Sequence, residues 1–395
     1  MNHDLIVFGE DWGGLPSSTQ HLVKLLARDR KVLWINSIGL RRPRLNLHDI
    51  KRVGVKLTRS VSAIIADKIN HCKNNSLRND SNVNRDTETP SNLRIINPIT
   101  IPVPCTKFER RCAVWLLNYQ LQPVIKKWHL HKPILFVSLP TAVNMVGQLN
   151  ESAVVYYCGD DFSGLAGVDH KNVALDEKLL VEKSDLIVAA SAELAARFPQ
   201  YKTLQLTHGV DYQLFSQPVA RACDLPNNGK PIAGFYGSLS AWLEVELLTE
   251  VIKAMPHWDF VFIGKQEVDM SVLMAMPNTY FLGARPHSEL PSYSQHWQAS
   301  LLPFHDNAQI RACNPLKLVE YLAVGVPIVA TRFPALAPYK HLVQQVSSRD
   351  DFILALEMTR YLSTIPNFSS TLKQSVANKT WRTKAQLLSR RLESL

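Results

Sequence analysis

Short apolar runs recur along this chain and alternate with segments of helical periodicity. The runs occupy residues 4–9, 31–36, 133–138, 153–157, 185–190, 203–206, 231–237, 259–264, 279–283, 300–304 and 326–331. A strand of a parallel sheet is buried on both faces, so it is apolar along its whole length, whereas a half-exposed strand alternates apolar and polar residues. The pattern therefore predicts the α/β class, with parallel sheets covered by helices on both faces.

The runs fall into two series. The chain has 395 residues, which predicts two or three domains at about 100–200 residues each. A polar stretch with two prolines, residues 212–230, separates the series. We therefore predict two doubly wound Rossmann-like domains, residues 1–211 and 212–377, followed by a closing helix at 378–395 that packs back toward the first domain.

One segment interrupts the alternation of strands and helices. Residues 70–94 are almost wholly polar and rich in Asn and Ser. Such a segment buries too little apolar surface to offset the entropy of ordering it. We therefore predict a disordered insert there.

The charge of the chain is unevenly distributed. The whole chain carries 44 Lys+Arg and 34 Asp+Glu, a net charge of +10, whereas the first 150 residues carry 22 and 10, a net of +12. Such asymmetry predicts attraction to a nucleic acid, an anionic membrane surface or a phosphate-bearing substrate, or else a basic surface that serves solubility. No recognisable nucleic-acid-binding motif is present, so a nucleic-acid partner is not expected.

A candidate helix at residues 108–128 places aromatic and leucine side chains among basic residues. Such a helix can pack on its own domain or lie on a membrane. The six cysteines are scattered without metal-ligand spacing, which predicts a reducing compartment and no structural metal. Neither a signal-peptide layout nor a run of about 18 apolar residues is present. The prediction is a cytoplasmic protein, with any membrane contact peripheral and on the inner face.

The candidate ligand site of the second series lies where its strands end. Gly237, Gly264 and Gly283 each follow an apolar run, and glycine there lets the backbone approach a phosphate. The segment 311–331 contains a helix whose first turn holds Lys317 and whose next turn holds Glu320. A helix start with a lysine suits a diphosphate. The alternatives are loop glycines without a ligand and an ordinary surface Lys–Glu pair.

Two carboxylates follow the run at 153–157. Asp160 or Asp161 there could act as a general base, and we favour Asp160. The alternative is that either aspartate caps a turn or a helix.

Several of these segments resemble GT-B glycosyltransferases of bacterial surface-polysaccharide synthesis, of the teichuronic-acid and xanthan types. The resemblance is carried by Pro-x-Lys-x-x-Glu-Tyr-Leu-Ala-x-Gly-x-Pro-Ile-Val at 315–329 and by the segments at 185–191, 207–211, 236–242, 282–291 and 301–304. It implies two Rossmann-like domains facing across a cleft. It also implies transfer of a sugar from a UDP- or GDP-linked donor to a lipid-linked or growing saccharide.

The resemblance also implies roles for single residues. The donor-site positions are Gly237, Ser238, Gly264, Arg285, Asn314, Lys317 and Glu320. Lys317 would neutralise the diphosphate, so neither a metal nor a cofactor is required, and Glu320 would hold the ribose or the sugar. The loop at Gly13 and Gly14 would face the donor phosphates from the acceptor domain. Relatives of the xanthan type place a catalytic aspartate in that domain, which agrees with Asp160.

Two departures from the family pattern bear on the mechanism. Many retaining relatives carry a glutamate eight positions before Glu320, where this chain has Ala312, and the basic residues common after the first glycine loop are absent. An inverting single displacement is therefore expected. The alternatives are a sugar-nucleotide epimerase of the same fold and a non-catalytic or polyanion-binding GT-B scaffold. The sequence does not indicate an oligomeric state.

Overall fold

The computed structural model describes residues 3–14, 17–40, 89–164 and 168–395. The chain forms two compact units, Met1–Leu206 with Ala385–Leu395, and Thr207–Lys384. Each unit contains its own sheet, and all neighbouring strands in both sheets are parallel. The predicted α/β class is therefore confirmed.

The sheet of the first unit has the strand order β3-β2-β1-β4-β5-β6-β7. Its strands are β1 (Leu5–Phe8), β2 (Val32–Ile35), β3 (Leu93–Ile96), β4 (Ile134–Val137), β5 (Ala153–Cys158), β6 (Leu186–Ala189) and β7 (Thr203–Gln205). The six strands predicted here are confirmed, and β1, β2, β4, β5 and β6 are fully buried, as their uninterrupted apolar sequences require. The order reverses between β1 and β4, which is where doubly wound sheets bind ligands.

Strand β3 includes the last two residues of the insert predicted at residues 70–94. Leu93 pairs with Val32 of β2 and is buried, whereas Arg94 and Ile95 are exposed. At the edge of a sheet, backbone pairing on one side holds a strand that buries few side chains, so its sequence resembles a loop. The disorder predicted for residues 70–88 lies outside the described residues.

The described helices of the first unit cover the faces of this sheet. They are α1 (Ser18–Leu26), α2 (Lys107–Lys127), α3 (His170–Lys183) and α4 (Ala192–Ala195), with short 3-10 helices at Pro140–Met145 and Gln200–Lys202. Helix α2 confirms the helix predicted at 108–128. It begins with a capping box of Thr106 and Glu109, and it buries Ala113, Leu117, Leu121 and Ile125.

The sheet of the second unit has the order β10-β9-β8-β11-β12-β13. Its strands are β8 (Ile232–Tyr236), β9 (Asp259–Ile263), β10 (Thr279–Gly283), β11 (Ala299–Leu302), β12 (Ile328–Thr331) and β13 (Val343–Val346). Strand β13, an edge strand, was not predicted. Its sequence, Val-Gln-Gln-Val, buries only the two valines.

The described helices of the second unit surround that sheet. They are α5 (Tyr212–Ser216), α6 (Val245–Ala254), α7 (Ser271–Met274), α8 (Pro291–Ser294), α9 (Ala308–Ala312), α10 (Leu316–Val324), α11 (Arg349–Leu362) and α12 (Phe368–Gln374), with 3-10 helices at His287–Glu289 and Pro334–Tyr339. Gly325 ends α10 in the left-handed conformation. The last helix is α13 (Trp381–Glu393). No helix among the described residues is both long and apolar enough to cross a bilayer.

Candidate functional site

The two glycines that follow the adjacent strands β8 and β9 are packed against each other. Gly237 has φ of +127° and Gly264 has φ of +152°, conformations that favour glycine. A Cβ atom on Gly264 would lie 1.9 Å from the carbonyl oxygen of Gly237. The backbone therefore approaches itself closely at the carboxyl edge of these central strands.

Lys317, in the first turn of α10, lies across Gly237. A Cβ atom on Gly237 would lie 2.1 Å from the Cε atom of Lys317, so the missing side chain provides the path for the lysine. The Nζ atom is 5.5 Å from the ring centroid of Phe235. Burial lowers the pKa of Lys317, although the charge of Glu320 acts in the opposite direction. A helix start, a lysine and a glycine turn are thus brought to one place, an arrangement suited to an anion.

Glu320, which the resemblance expects to meet the ribose or the sugar, makes its contacts within the protein. It is only 3% exposed, and both of its carboxylate oxygens already have partners. Tyr236 donates its hydroxyl hydrogen to Oε2 at 2.8 Å, and the Nε2 atom of His287 lies 2.7 Å from Oε1. The His287 side chain remains one quarter exposed. His287 is therefore the more solvent-accessible side chain of the pair.

Arg285 donates hydrogen bonds to two other side chains of the second unit. Its Nη2 atom donates to the carboxylate of Asp224 at 2.8 Å, and its Nε atom donates to the hydroxyl of Tyr293 at 2.9 Å. These hydrogen bonds raise the pKa of Arg285 above its usual range. Gly283, at the end of β10, has φ of +71°. Arg285 thus ties the loop after β10 to the chain around Asp224.

Ser238 and Asn314 complete the predicted donor set. Ser238 follows Gly237 directly, and Asn314 lies two residues before α10. Both are half-buried. The structure therefore brings Gly237, Gly264, Lys317 and Glu320 into one connected group, while Arg285 is held in a separate contact with Asp224 and Tyr293.

In the first unit, the two candidate bases have different surroundings. Asp161 is buried, and its carboxylate accepts from Arg197 at 2.7 Å and from the backbone N–H of Ser163 at 3.0 Å. Burial acts to raise its pKa, but these hydrogen bonds outweigh burial and hold the pKa below its usual value. Asp161 therefore stabilises the turn after β5, which is the alternative considered for either aspartate.

Asp160 reaches solvent, and in the described part of the chain no group donates a hydrogen bond to its carboxylate. The surrounding protein desolvates the Asp160 carboxylate and so raises its pKa. The neighbouring charge of Asp161 raises the pKa further. A carboxylate with a raised pKa that is not already bound is suited to accept a proton.

Glu10 is a carboxylate that the sequence reasoning missed. It lies two residues after the end of β1, as Asp160 lies two residues after β5, and these strands flank β4. Burial raises the pKa of Glu10, and the charges of Asp160 and Asp11 raise it further, although its own backbone and Gln20 lower it. Glu10 could have been predicted from the same pattern as Asp160, because each is an acidic residue two positions after the end of an apolar strand.

The loop after Glu10 contains the two predicted glycines. Gly13 has φ of +76° and donates its N–H to the side chain of Gln20 at 3.0 Å, and Gly14 donates to the carbonyl of Asp11 at 3.1 Å. The loop therefore lies at the carboxyl edge of β1, beside the carboxylate of Glu10.

Among the residues that the structure describes, one group of side chains could hold a metal ion. The candidate ligand atoms of Glu244, Glu246 and His305 all lie within 4.8 Å of one another. The Nδ1 atom of His305 is 2.8 Å from Glu244. Exposed acidic groups commonly cluster without an ion, so this geometry by itself leaves the predicted absence of a metal untested.

Comparison with known proteins finds a similarity within the second unit. Residues 230–357 match the family described as "Glycosyl transferases group 1". The matched range contains the glycine pair, Lys317 and Glu320. Residues 230–357 are thus similar to that family, which agrees with the resemblance.

Individual relatives agree with this class. The chain is 27% identical over 229 residues to TuaH of Bacillus subtilis strain 168, whose name assigns it to teichuronic acid biosynthesis as a glycosyltransferase. The match covers 52% of this chain and 57% of TuaH, so it spans little more than half of that relative.

Among solved structures, Anabaena HepE in complex with UDP and glucose matches with a TM-score of 0.64 at 12% identity, covering 100% of both chains. Sucrose-phosphate synthase from Thermosynechococcus elongatus matches with a TM-score of 0.65 at 14% identity, covering 99% of this chain and 98% of that chain. These likenesses show the GT-B fold.

Proposed function

We propose that this protein is a glycosyltransferase that moves a sugar from a UDP- or GDP-linked donor to a lipid-linked or growing saccharide acceptor in surface-polysaccharide synthesis. The observation that carries the proposal is Lys317, held over Gly237 at the start of α10 within the matched family domain. The name of TuaH supports the polysaccharide role, and the UDP and glucose bound to HepE support a nucleotide-sugar donor.

The donor diphosphate is assigned to the carboxyl edge of β8 and β9. There, the glycine turns let phosphate oxygens approach the backbone, and Lys317 together with the α10 start offers positive charge. As the sugar leaves, negative charge grows on the diphosphate, and a lysine already in place stabilises it. The proposed reaction therefore uses Lys317 where other transferases use a metal ion.

Glu320 is proposed to act through His287. Both carboxylate oxygens of Glu320 already have partners, Tyr236 and His287. Glu320 therefore orients the imidazole of His287 and does not itself bind sugar hydroxyls. The Nε2 atom of His287 lies 2.7 Å from Oε1 of Glu320, so the carboxylate holds the imidazole in a fixed orientation. His287, and not Glu320, is then the side chain of this pair that meets the ribose or the sugar.

Asp160 is proposed as the general base. It removes the proton of the acceptor hydroxyl while the hydroxyl oxygen attacks the anomeric carbon, and the nucleoside diphosphate leaves with the electron pair of the broken bond. This single displacement inverts the anomeric centre. Desolvation by the surrounding protein, together with the charge of Asp161, raises the pKa of Asp160, which makes it a stronger base.

A ligand screen followed by product analysis tests the proposal. The melting temperature of the protein should rise with UDP or GDP and with one of the corresponding nucleotide sugars. The stabilising nucleotide sugar should then yield a glycosylated product with an acceptor, and not an epimerised donor without one. If no nucleoside diphosphate stabilised the protein, the transferase assignment would fail. Epimerisation without an acceptor would instead support the epimerase alternative.

A further inference from the structure

Helix α2 presents aromatic side chains to solvent on the side opposite its buried stripe. Phe108 is 76% exposed, Trp115 is 65% exposed and Tyr119 is 73% exposed. The rings of Trp115 and Tyr119 are stacked with centroids 5.8 Å apart. Large apolar side chains that cluster on one exposed face mark a surface for interaction.

The same face is basic. Arg111 and Lys126 are exposed and share this side of the helix, because they lie at helical spacing from Trp115 and Tyr119. We call Phe108, Arg111, Trp115, Tyr119 and Lys126 the α2 outer face. The acidic residue of α2, Glu109, is turned to the helix start, where it accepts from the backbone N–H groups of Cys105 and Thr106.

A shallow pocket adjoins this face. Its volume is about 420 Å³, and its lining includes Arg110, Arg111, Trp115, Asn118 and Asn144. Arg110 is paired with the buried Asp176 at 3.2 Å, so Arg111 is the arginine that can meet a ligand there. The pocket has the cation and the amide groups that a phosphate group can use, directly beside an exposed tryptophan.

We propose that the α2 outer face is the surface by which this protein lies on an anionic phospholipid bilayer, with a headgroup phosphate in the adjoining pocket at Arg111. Trp and Tyr favour the boundary between headgroups and acyl chains, and a helix with one aromatic face and basic residues lies in that plane. From Phe108 to Tyr119 the face extends about 16 Å along the helix, at about 1.5 Å per residue.

The charge of the face favours a lipid surface over a protein partner. Its exposed charged residues, Arg111 and Lys126, are both cations, which matches a uniformly negative surface. A single-stranded RNA would also suit aromatic and basic side chains. The experiment must therefore separate these two classes of partner.

The test uses the full chain and no nucleotide, so its outcome does not depend on the proposed transferase activity. Binding to vesicles of phosphatidylcholine alone and of phosphatidylcholine with phosphatidylglycerol is measured by co-sedimentation. We expect binding to the anionic vesicles only, weakening as salt rises. Arg111→Gln should weaken it about fivefold, the effect of one cation near such a surface. The double variant Trp115→Ser/Tyr119→Ser should weaken it more than about tenfold.

Matched controls lie elsewhere in the same unit. Tyr201→Ser removes an aromatic side chain that is 82% exposed, and Lys178→Gln removes an exposed cation on α3. Both should bind vesicles as the wild type does, and circular dichroism checks that all variants fold. Equal binding to both kinds of vesicle would overturn the proposal, as would an equal effect of the α2 and control variants. Binding of polyuridylate without binding of vesicles would also overturn it.

Discussion

The side chain of Lys317 occupies the space that a Cβ atom of Gly237 would fill. The two residues are 80 positions apart in the sequence, yet a Cβ atom on the glycine would lie 2.1 Å from Cε and 2.6 Å from Nζ of the lysine. Gly237 therefore leaves room for the charged side chain of Lys317, and it also allows the backbone turn after β8. This relationship links the strand end to the helix start within the matched domain.

Gly237→Ala should displace Lys317 and weaken binding of the nucleoside diphosphate about tenfold or more. It should also lower the free energy of unfolding by about 1–3 kcal/mol, because φ of +127° is strained for alanine. Calorimetric titration and denaturant unfolding measure the two effects. Gly229→Ala is the matched control, since Gly229 has φ of +84° with nothing within 4 Å. Equal nucleotide affinity in both variants would contradict the role of the Lys317 contact.

Lys317→Met should weaken diphosphate binding about tenfold to a hundredfold, the value of a charge-assisted hydrogen bond. The free energy of unfolding of this variant should not be lower than that of the wild type. Burial lowers the pKa of Lys317 in the folded state, so the ammonium group costs stability at neutral pH. That cost disappears above about pH 10.4, where the unfolded lysine is also neutral. Denaturant unfolding against pH measures this, with exposed Lys340→Met as control. Unchanged diphosphate affinity would remove Lys317 from the donor site.

Asp160→Asn should reduce transfer at least about a hundredfold, because the general base is lost, while donor affinity stays unchanged. Stability at neutral pH should rise, since the raised pKa of Asp160 means that its charged form is disfavoured in the fold. The gain should vanish below about pH 4, where the carboxyl is protonated in the unfolded state too. Steady-state kinetics and pH-dependent unfolding check both points. Undiminished transfer in this variant would refute the base assignment.

Asp161→Asn should have the opposite profile. It should lower the free energy of unfolding by about 1–3 kcal/mol, because a buried acceptor of several hydrogen bonds is replaced; the half-exposed Arg197 limits the loss. The folded pKa of Asp161 is lowered, so its contribution is present above about pH 3.9 and is lost as pH falls through the folded value. The variant should lack that pH dependence in urea unfolding. A variant as stable as the wild type at pH 7 would show that the contact with Arg197 contributes nothing.

Glu320→Gln should lower the free energy of unfolding by about 1–3 kcal/mol, since a buried carboxylate with two partners is altered. Tyr236→Phe should cost about 1 kcal/mol, because it removes one of those hydrogen bonds. The double variant should cost less than the sum, and a double-mutant cycle by denaturant unfolding measures the difference. Strict additivity would mean that the two side chains do not act together.

Much of the fold could be predicted from the sequence. The apolar runs that became central strands, such as β1, β5, β8 and β11, are buried on both faces, so their chemistry shows directly in the sequence. The edge strands β3 and β13 could not be predicted in this way. Each is held by pairing on one side, and a backbone hydrogen bond leaves no trace in residue type.

The candidate site could be predicted in position but not in contacts. Strand ends and helix starts, and hence Gly237, Lys317 and Asp160, follow from local patterns. Glu320 contacts Tyr236 and His287, and Arg285 donates a hydrogen bond to Asp224. The residues of these pairs are 33 to 84 positions apart in the sequence. Periodicity has no information about such pairs.

The sequence by itself determined the two parallel sheets, the glycines at their carboxyl edges and the carboxylates after β5, because each follows from local burial and backbone conformation. Only the tertiary structure decided which carboxylate is bound and which is open. Asp160 and Asp161 are adjacent in sequence and alike in chemistry, yet Arg197 and Ser163 lower the pKa of Asp161. Desolvation by the surrounding protein and the charge of Asp161 raise the pKa of the solvent-exposed Asp160. The difference arises because electrostatic surroundings depend on which groups folding brings together.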